Sequence, residues 1–133
     1  MRPLTNEWLN AANDDLLAMK LLMSNEHLTH IAAFHAQQCL EKTLKAILEE
    51  NEIDISKTHK LHTLISLIPV KNISFDERLI ALLDKLYIDA RYPGDLGLLP
   101  DGKPQFEDVN EFFSLASYMY DEVRRMFLSK VVD

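Results

Sequence analysis

Phe34-His35-Ala36-Gln37-Gln38-Cys39-Leu40-Glu41-Lys42-Thr43-Leu44-Lys45-Ala46 is the stretch that decides the fold. Ala36, Leu40 and Leu44 recur every fourth residue and run on into Ile47 and Leu48, the spacing of one buried face of an α-helix. This predicts a helix from about Thr29 to Asn51. Its polar residues are as regular as its apolar ones. His35, Gln38, Lys42 and Lys45 step by three or four along one side, and Gln37, Glu41 and Lys45 form an adjacent row. Glu41 precedes Lys45 in the favourable order, worth about 0.3 kcal/mol for a pair on a helix surface. Two readings of this stripe stay open: a charged outer face, or one wall of a groove that presents donors to an anionic ligand.

The same spacing extends in both directions. Trp8, Ala12, Leu16, Met19 and Met23 predict a first helix from about Asn6 to Ser24, with Asn13 and Lys20 facing away. Asp15 falls beside that apolar stripe and is expected to be partly buried. A short third helix is expected from about His59 to Ile68, with Leu61, Leu64, Ile65 and Ile68 inward and Pro69 closing it. Ser74 with Glu77 three residues on reads as a capping box. It opens a fourth helix whose face is Leu79, Leu82, Leu83 and Leu86, ending near Ala90. Val109, Phe112, Phe113, Ala116, Tyr120, Val123 and Phe127 predict a fifth, from about Glu107 to Ser129. No segment alternates with period two.

All three glycines (Gly94, Gly97, Gly102) and three of the five prolines (Pro93, Pro100, Pro104) fall in one connection between the fourth and fifth helices. Pro3 and Pro69 also stand outside the periodic segments. Breakers gathered in one place leave the rest free to be helical. The expected fold is therefore all-α: an up-and-down antiparallel bundle of about five helices with one long Pro/Gly-rich connection. Connections of that length are uncommon in compact domains and often carry function. The 133 residues suit one domain, 1–133.

With 14 Lys and Arg against 21 Asp and Glu, the formal net charge is −7. A chain this acidic is not a general nucleic-acid coat, which needs a basic face. A local basic cleft remains open to Lys42, Lys45, Lys57, Lys60 and Arg91 if the fold gathers them. No charged-then-apolar leader opens the chain and no apolar run reaches the ~18 residues of a membrane span, so a cytoplasmic protein with no membrane contact is expected.

Most catalytic chemistry finds no foothold. The single cysteine, Cys39, sits inside a helical pattern and reads as a small buried apolar residue. The serines lie in or at the ends of helices without a nucleophile elbow, and no glycine-rich phosphate loop exists. His59 and His62 are spaced to share a helix face, but a metal site needs further ligands, so neither a metal nor another cofactor is expected. What remains is Ala90-Arg91-Tyr92-Pro93-Gly94-Asp95. Arginine suits bidentate phosphate contacts, and an adjacent aromatic can stack on a base. Capping of a helix end by Arg91 and core packing of Tyr92 stay open beside that reading.

Taken in order, these pieces resemble the HEPN family of small helical prokaryotic proteins. They are Trp8 with Ala11-x-x-x-Asp15-Leu16, Phe34-x-x-Gln37-x-x-x-Glu41-Lys42-x-Leu44-Lys45-Ala46, Thr58-His59-x-Leu61, and Arg91-Tyr92-Pro93. The likeness covers Trp8 to about Met126. It implies a helical bundle that pairs as a homodimer, and a toxin or a partner of a minimal nucleotidyltransferase in a two-gene, toxin–antitoxin-like module. Catalytic members are metal-independent ribonucleases whose motif is an Arg, four to six residues, then a His. No arginine here is followed by a histidine at that distance, since the last histidine is His62. The resemblance therefore implies a noncatalytic module that binds a nucleotide or an RNA phosphate, with Arg91, Tyr92, Lys42, Lys45, His59 and Gln38 as contacts. Two alternatives stay open. One is a divergent ribonuclease using Arg91, His59 and Tyr92. The other is a purely structural interaction bundle.

Overall fold

The computed structural model describes residues 1–55, 57–69, 73–89 and 103–132. They form five helices: α1 (Pro3–Leu22), α2 (Thr29–Glu50), α3 (Leu61–Leu67), α4 (Glu77–Asp89) and α5 (Phe106–Val132). No strand occurs among the described residues. The all-α bundle expected from the spacing is the fold observed.

Helix α2 is the axis. It packs against α1, α3, α4 and α5, most extensively against α1. Ala36, Leu40, Leu44, Ile47 and Leu48 are all fully buried, as their period predicts. So are Ala32, Ala33, Cys39 and Ala46. These small side chains let neighbouring backbones approach from several directions. One apolar cluster joins this helix to Leu61 and Leu64 of α3, to Ile80 and Leu83 of α4, and to Val109, Phe112, Met119, Val123 and Phe127 of α5. Each fully buried Leu or Phe contributes roughly 1.5–3 kcal/mol relative to an exposed one.

Several details differ from the sequence expectation. The buried stripe of α1 runs through Thr5, Leu9, Ala12, Leu16 and Met19. Ala12, Leu16 and Met19 are buried as expected, while Trp8 and Met23 are partly buried and pack against the core, with Thr5 and Leu9 extending the stripe toward the N-terminus. Pro3 lies inside α1, near its N-terminus. It is tolerated there because the first-turn amide has no helical acceptor to lose. Helix α4 is not opened by Ser74. Asp76 Oδ1 accepts from Arg78 N at 3.0 Å and Leu79 N at 3.2 Å, so Asp76 is the cap. Ser74-x-x-Glu77 and Asp76-x-x-Leu79 compete within one turn, and a carboxylate is the stronger partner for the positive helix end. In α5, Gln105 N donates to Asp108 Oδ2 at 2.9 Å, which settles the chain just after the buried Pro104.

Helix α3 borrows its cap. Lys60 precedes it without a side-chain cap. Instead Asp84 of α4 accepts from Leu61 N at 2.7 Å and His62 N at 3.2 Å. Asp84 Oδ2 also meets His62 Nδ1 at 2.9 Å. One carboxylate thus starts one helix and staples it to another. Asp84→Ala is expected to destabilise the protein by about 1–2 kcal/mol in urea unfolding. Amide exchange should accelerate first at Leu61 and His62.

His30, near the start of α2, buries its Nδ1 with no hydrogen-bond partner among the described residues. Burial, and secondarily the charge of Lys103, holds its pKa below the ordinary imidazole value. As the pH falls, the unfolded chain takes up this proton before the folded one does. The stabilising effect of neutral His30 is therefore complete above the ordinary value near 6.5. It is lost as the pH drops toward the lowered one. The fall in unfolding free energy between pH 8 and pH 5 should be smaller in His30→Phe than in the parent.

Candidate functional site

Two carboxylates lie inside the bundle beside the polar stripe of α2. Asp15, on α1, is 8% exposed in its side chain. Its Oδ1 lies 2.9 Å from His35 Nδ1, and its Oδ2 accepts from Lys42 Nζ at 2.8 Å. The sequence placed Asp15 beside an apolar stripe, and burial follows. Two side chains from α2 close around it.

Glu41, on α2 itself, is 5% exposed in its side chain. Oε2 accepts from Lys45 Nζ at 3.2 Å, and Oε1 meets His59 Nδ1 at 3.0 Å and Gln37 Nε2 at 3.4 Å. Gln37 Nε2 also donates to the His59 carbonyl at 2.9 Å, and Gln38 Nε2 donates to Gln37 Oε1 at 2.7 Å. The His59 backbone and ring are thus both tied to α2. The outer-face reading fails for this row, because Gln37, Glu41 and Lys45 are all buried. The Lys45 ammonium lies 5.4 Å from the Trp8 ring centroid, in cation–π range. A surface value of a few tenths of a kcal/mol does not describe such a pair. Breaking one partner of a buried pair costs about 3–5 kcal/mol, because the other charge is left stranded.

Between the two carboxylates runs a line of rings. His35 meets Phe34 edge-on at 5.7 Å, Phe34 stacks on Tyr87 of α4 at 6.2 Å, and Tyr87 lies 5.1 Å from His59. Helix α1 packs on α2 and α5, whereas α3 and α4 pack on α2 and on each other. The face of α2 that carries Gln38 thus has Asp15 on one side and His59 with Tyr87 on the other. His35 keeps 28%, Lys42 25% and His59 45% of its side chain exposed.

Four of the expected contacts therefore gather here, in unequal states. Gln38, Lys42 and His59 reach the surface, while Lys45 is turned inward to Glu41. Arg91 and Tyr92 lie outside the described residues. His59 and His62, expected to share a face, pair with different helices: Glu41 of α2 and Asp84 of α4. Lys57 and Lys60 are exposed. Among the described residues no group of His, Cys, Asp and Glu is arranged to hold a metal ion. Burial pushes the Cys39 thiol up to about 12, so it is inert as a nucleophile. Asp15 with His35 and Tyr87 with His59 are pairings that spacing did not reveal, since each joins residues distant in the chain.

The Glu41–Lys45 pair gives a direct test. Glu41→Leu and Lys45→Met, made singly, are each expected to lower unfolding free energy by about 3–5 kcal/mol. The double variant should lose much less than the sum. Urea titrations of all four proteins read the coupling, and simple additivity would show that the two side chains act independently.

Known proteins share this architecture. The HEPN domain profile matches residues 5–126. ST0689, described as an archaeal HEPN homologue, has a similar structure, with a TM-score of 0.69 at 25% identity, covering 95% of this chain and 98% of that one. TT1696 from Thermus thermophilus is similar in fold, with a TM-score of 0.70 at 24% identity over 91% and 96% of the two chains. No curated protein matches. The profile spans all five helices and both buried carboxylates, and on that ground this chain belongs to the HEPN domain family.

Proposed function

We propose that this chain is a noncatalytic binding module that recognises the phosphate of a nucleotide or an RNA and serves a minimal nucleotidyltransferase in a toxin–antitoxin-like pair. It works as a homodimer in the cytoplasm, and no described helix is long and apolar enough to cross a membrane. One observation carries the reading: Gln38, Lys42 and His59 reach the surface on one side of α2, beside the stacked rings of Phe34 and Tyr87. Arg91 and Tyr92 follow Asp89, the last residue of α4, by two and three positions. The guanidinium supplies a bidentate phosphate contact and the aromatic a stacking surface. Lys45 acts indirectly, by holding the carboxylate that positions His59.

Ribonuclease chemistry is the weaker reading. It asks Arg91, His59 and Tyr92 to replace an Arg-to-His spacing that the sequence lacks, and no neutral imidazole follows Arg91 to carry a proton. The acidic net charge also argues for a confined contact over a long RNA track.

Calorimetric titration with ADP and with a single-stranded RNA hexamer tests the proposal. At least one probe is expected to bind, and Arg91→Ala should weaken it about tenfold or more, the worth of one charge-assisted phosphate contact. Raising the salt concentration should weaken binding further. Failure of both probes to bind would remove the proposal. Cleavage of the hexamer in EDTA, abolished by Arg91→Ala, would replace it with the enzymatic reading.

A further inference from the structure

The amide of Gln38 is oriented by a chain of contacts that has one solution. The His59 carbonyl can only accept, so the Gln37 atom 2.9 Å from it is the nitrogen Nε2, which also lies 3.4 Å from Glu41 Oε1. Gln37 Oε1 is thereby left to accept, and the Gln38 atom 2.7 Å from it is again a nitrogen, Gln38 Nε2. One N–H of Gln38 is spent there. Its other N–H and its Oε1 have no partner among the described residues, and Gln38 is partly exposed. Gln38 therefore holds out a carbonyl oxygen beside one N–H, and the two cannot exchange places while Gln37 is bound.

These atoms belong to one patch of surface, because the contacts around them close on themselves. Phe34 stacks on Tyr87 at 6.2 Å, and Tyr87 lies 5.1 Å from the His59 ring. The His59 carbonyl accepts from Gln37, Gln37 accepts from Gln38, and Gln38 stands one helical turn after Phe34. Phe34 and Tyr87 are both partly exposed. Lys42 stands one turn further along α2, with 25% of its side chain exposed. Its ammonium gives one of three N–H groups to Asp15 at 2.8 Å, so donors remain. Over about 12 Å of helix the surface thus runs from aromatic rings to an amide to an ammonium. A nucleotide has the same order: a flat base, its polar edge, then phosphate.

We propose that Gln38 sets the base preference of this surface and that the base is adenine. The proposal rests on the binding reading above and names its ligand class. On its N6/N7 edge adenine offers an amine donor beside an acceptor, which match the oxygen and the N–H of Gln38. Guanine and hypoxanthine carry a carbonyl in place of that amine, so the Gln38 oxygen meets a lone pair instead of a proton. A freely turning amide could swing its oxygen away and present N–H groups alone. Gln38 cannot do so without giving up Gln37, and Gln37 is itself held by the His59 carbonyl and Glu41. Gln37 is therefore a positioning residue, buried and out of reach of the ligand. The rings of Phe34 and Tyr87 give the base an aromatic surface, and Lys42 meets the phosphate. A free adenine nucleotide and an adenine within RNA share this chemistry.

The experiment titrates the full chain calorimetrically with two pairs of probes. One pair is ADP and inosine diphosphate, whose base has a carbonyl where adenine has its amine. The other is an RNA hexamer of adenylate and one of uridylate. The adenine member of a pair is expected to bind about tenfold tighter than its counterpart, the discrimination of one bidentate amide contact. A preference within the nucleotide pair alone identifies a free nucleotide as the source, and one within the hexamer pair alone identifies RNA. Gln38→Met should bring the two affinities of a pair close together, and so should Gln37→Met, which frees the Gln38 amide to turn. Equal affinities within both pairs, or tighter binding of the counterparts, overturn the proposal and leave the binding reading standing. A preference that survives in either variant overturns it too. No binding of any probe overturns both readings. The side-chain amide signals of Gln38 in the unsubstituted protein supply a check that needs no variant to fold. Saturation with the adenine probe that binds should shift them, and unmoved signals refute the contact.

Discussion

The structure turns on one carboxylate. Glu41 sits on a helix that is covered by neighbours on nearly every side, where an unpaired charge would cost several kcal/mol. Four hydrogen-bonding groups make its position tolerable: the Lys45 ammonium, the Gln37 amide, the His59 ring and, through Gln37, the His59 carbonyl. The first two come from α2 itself, and His59 comes from the connection that leads into α3. The polar network therefore does what apolar packing alone cannot do for a short helix. It fixes where the chain re-enters the bundle, just before Leu61 and Leu64 reach the core. Asp84 completes the same task from the other side by capping α3. A seven-residue helix with no cap of its own is held by two carboxylates from two longer ones.

How much of this was legible follows from what kind of interaction each feature is. The core faces of α2, α4 and α5 could be read directly, because apolar periodicity is a local signal that burial merely confirms. Helix α1 was legible through Ala12, Leu16 and Met19, but its N-terminal turn was not. Its stripe includes Thr5 and Asp15, polar residues that a hydrophobic template skips, and Trp8 looks like a core residue when it is an edge one. The row Gln37-Glu41-Lys45 illustrates the larger limit. An i,i+4 pair has the same sequence on a solvated face and in an interior. What separates the two is whether another segment lies over it, and that segment, around His59, is 18 residues away. Likewise Asp84 gives no sign in the sequence that it caps α3. The candidate site was half legible: Lys42, Gln38 and His59 do gather, while the pairing of His35 with Asp15 joins residues 20 apart and on different helices.

An acidic protein that captures an anion, as proposed above, faces a particular electrostatic demand. With a formal charge of −7, long-range attraction is not available. Affinity must come from short-range donors in fixed positions. A lysine that roams on a flexible stem is a poor such donor. One whose partner is already buried, as Lys42's is, has lost most of that freedom during folding rather than during binding. The same reasoning assigns Lys45 a different part. Its ammonium is not available to a ligand, yet without it the Glu41 charge that holds the His59 ring would be stranded.

His35 and His59 are each anchored at Nδ1 by a buried carboxylate, Asp15 and Glu41, that a lysine also contacts. A lone exposed histidine would be free to rotate, and its outward nitrogen would be smeared over many directions. These two keep part of their surface exposed while one ring nitrogen is held in place. Phe34 and Tyr87 stack between them and tie α2 to α4, so the aromatic contacts and the ion pairs fix the same stretch of surface.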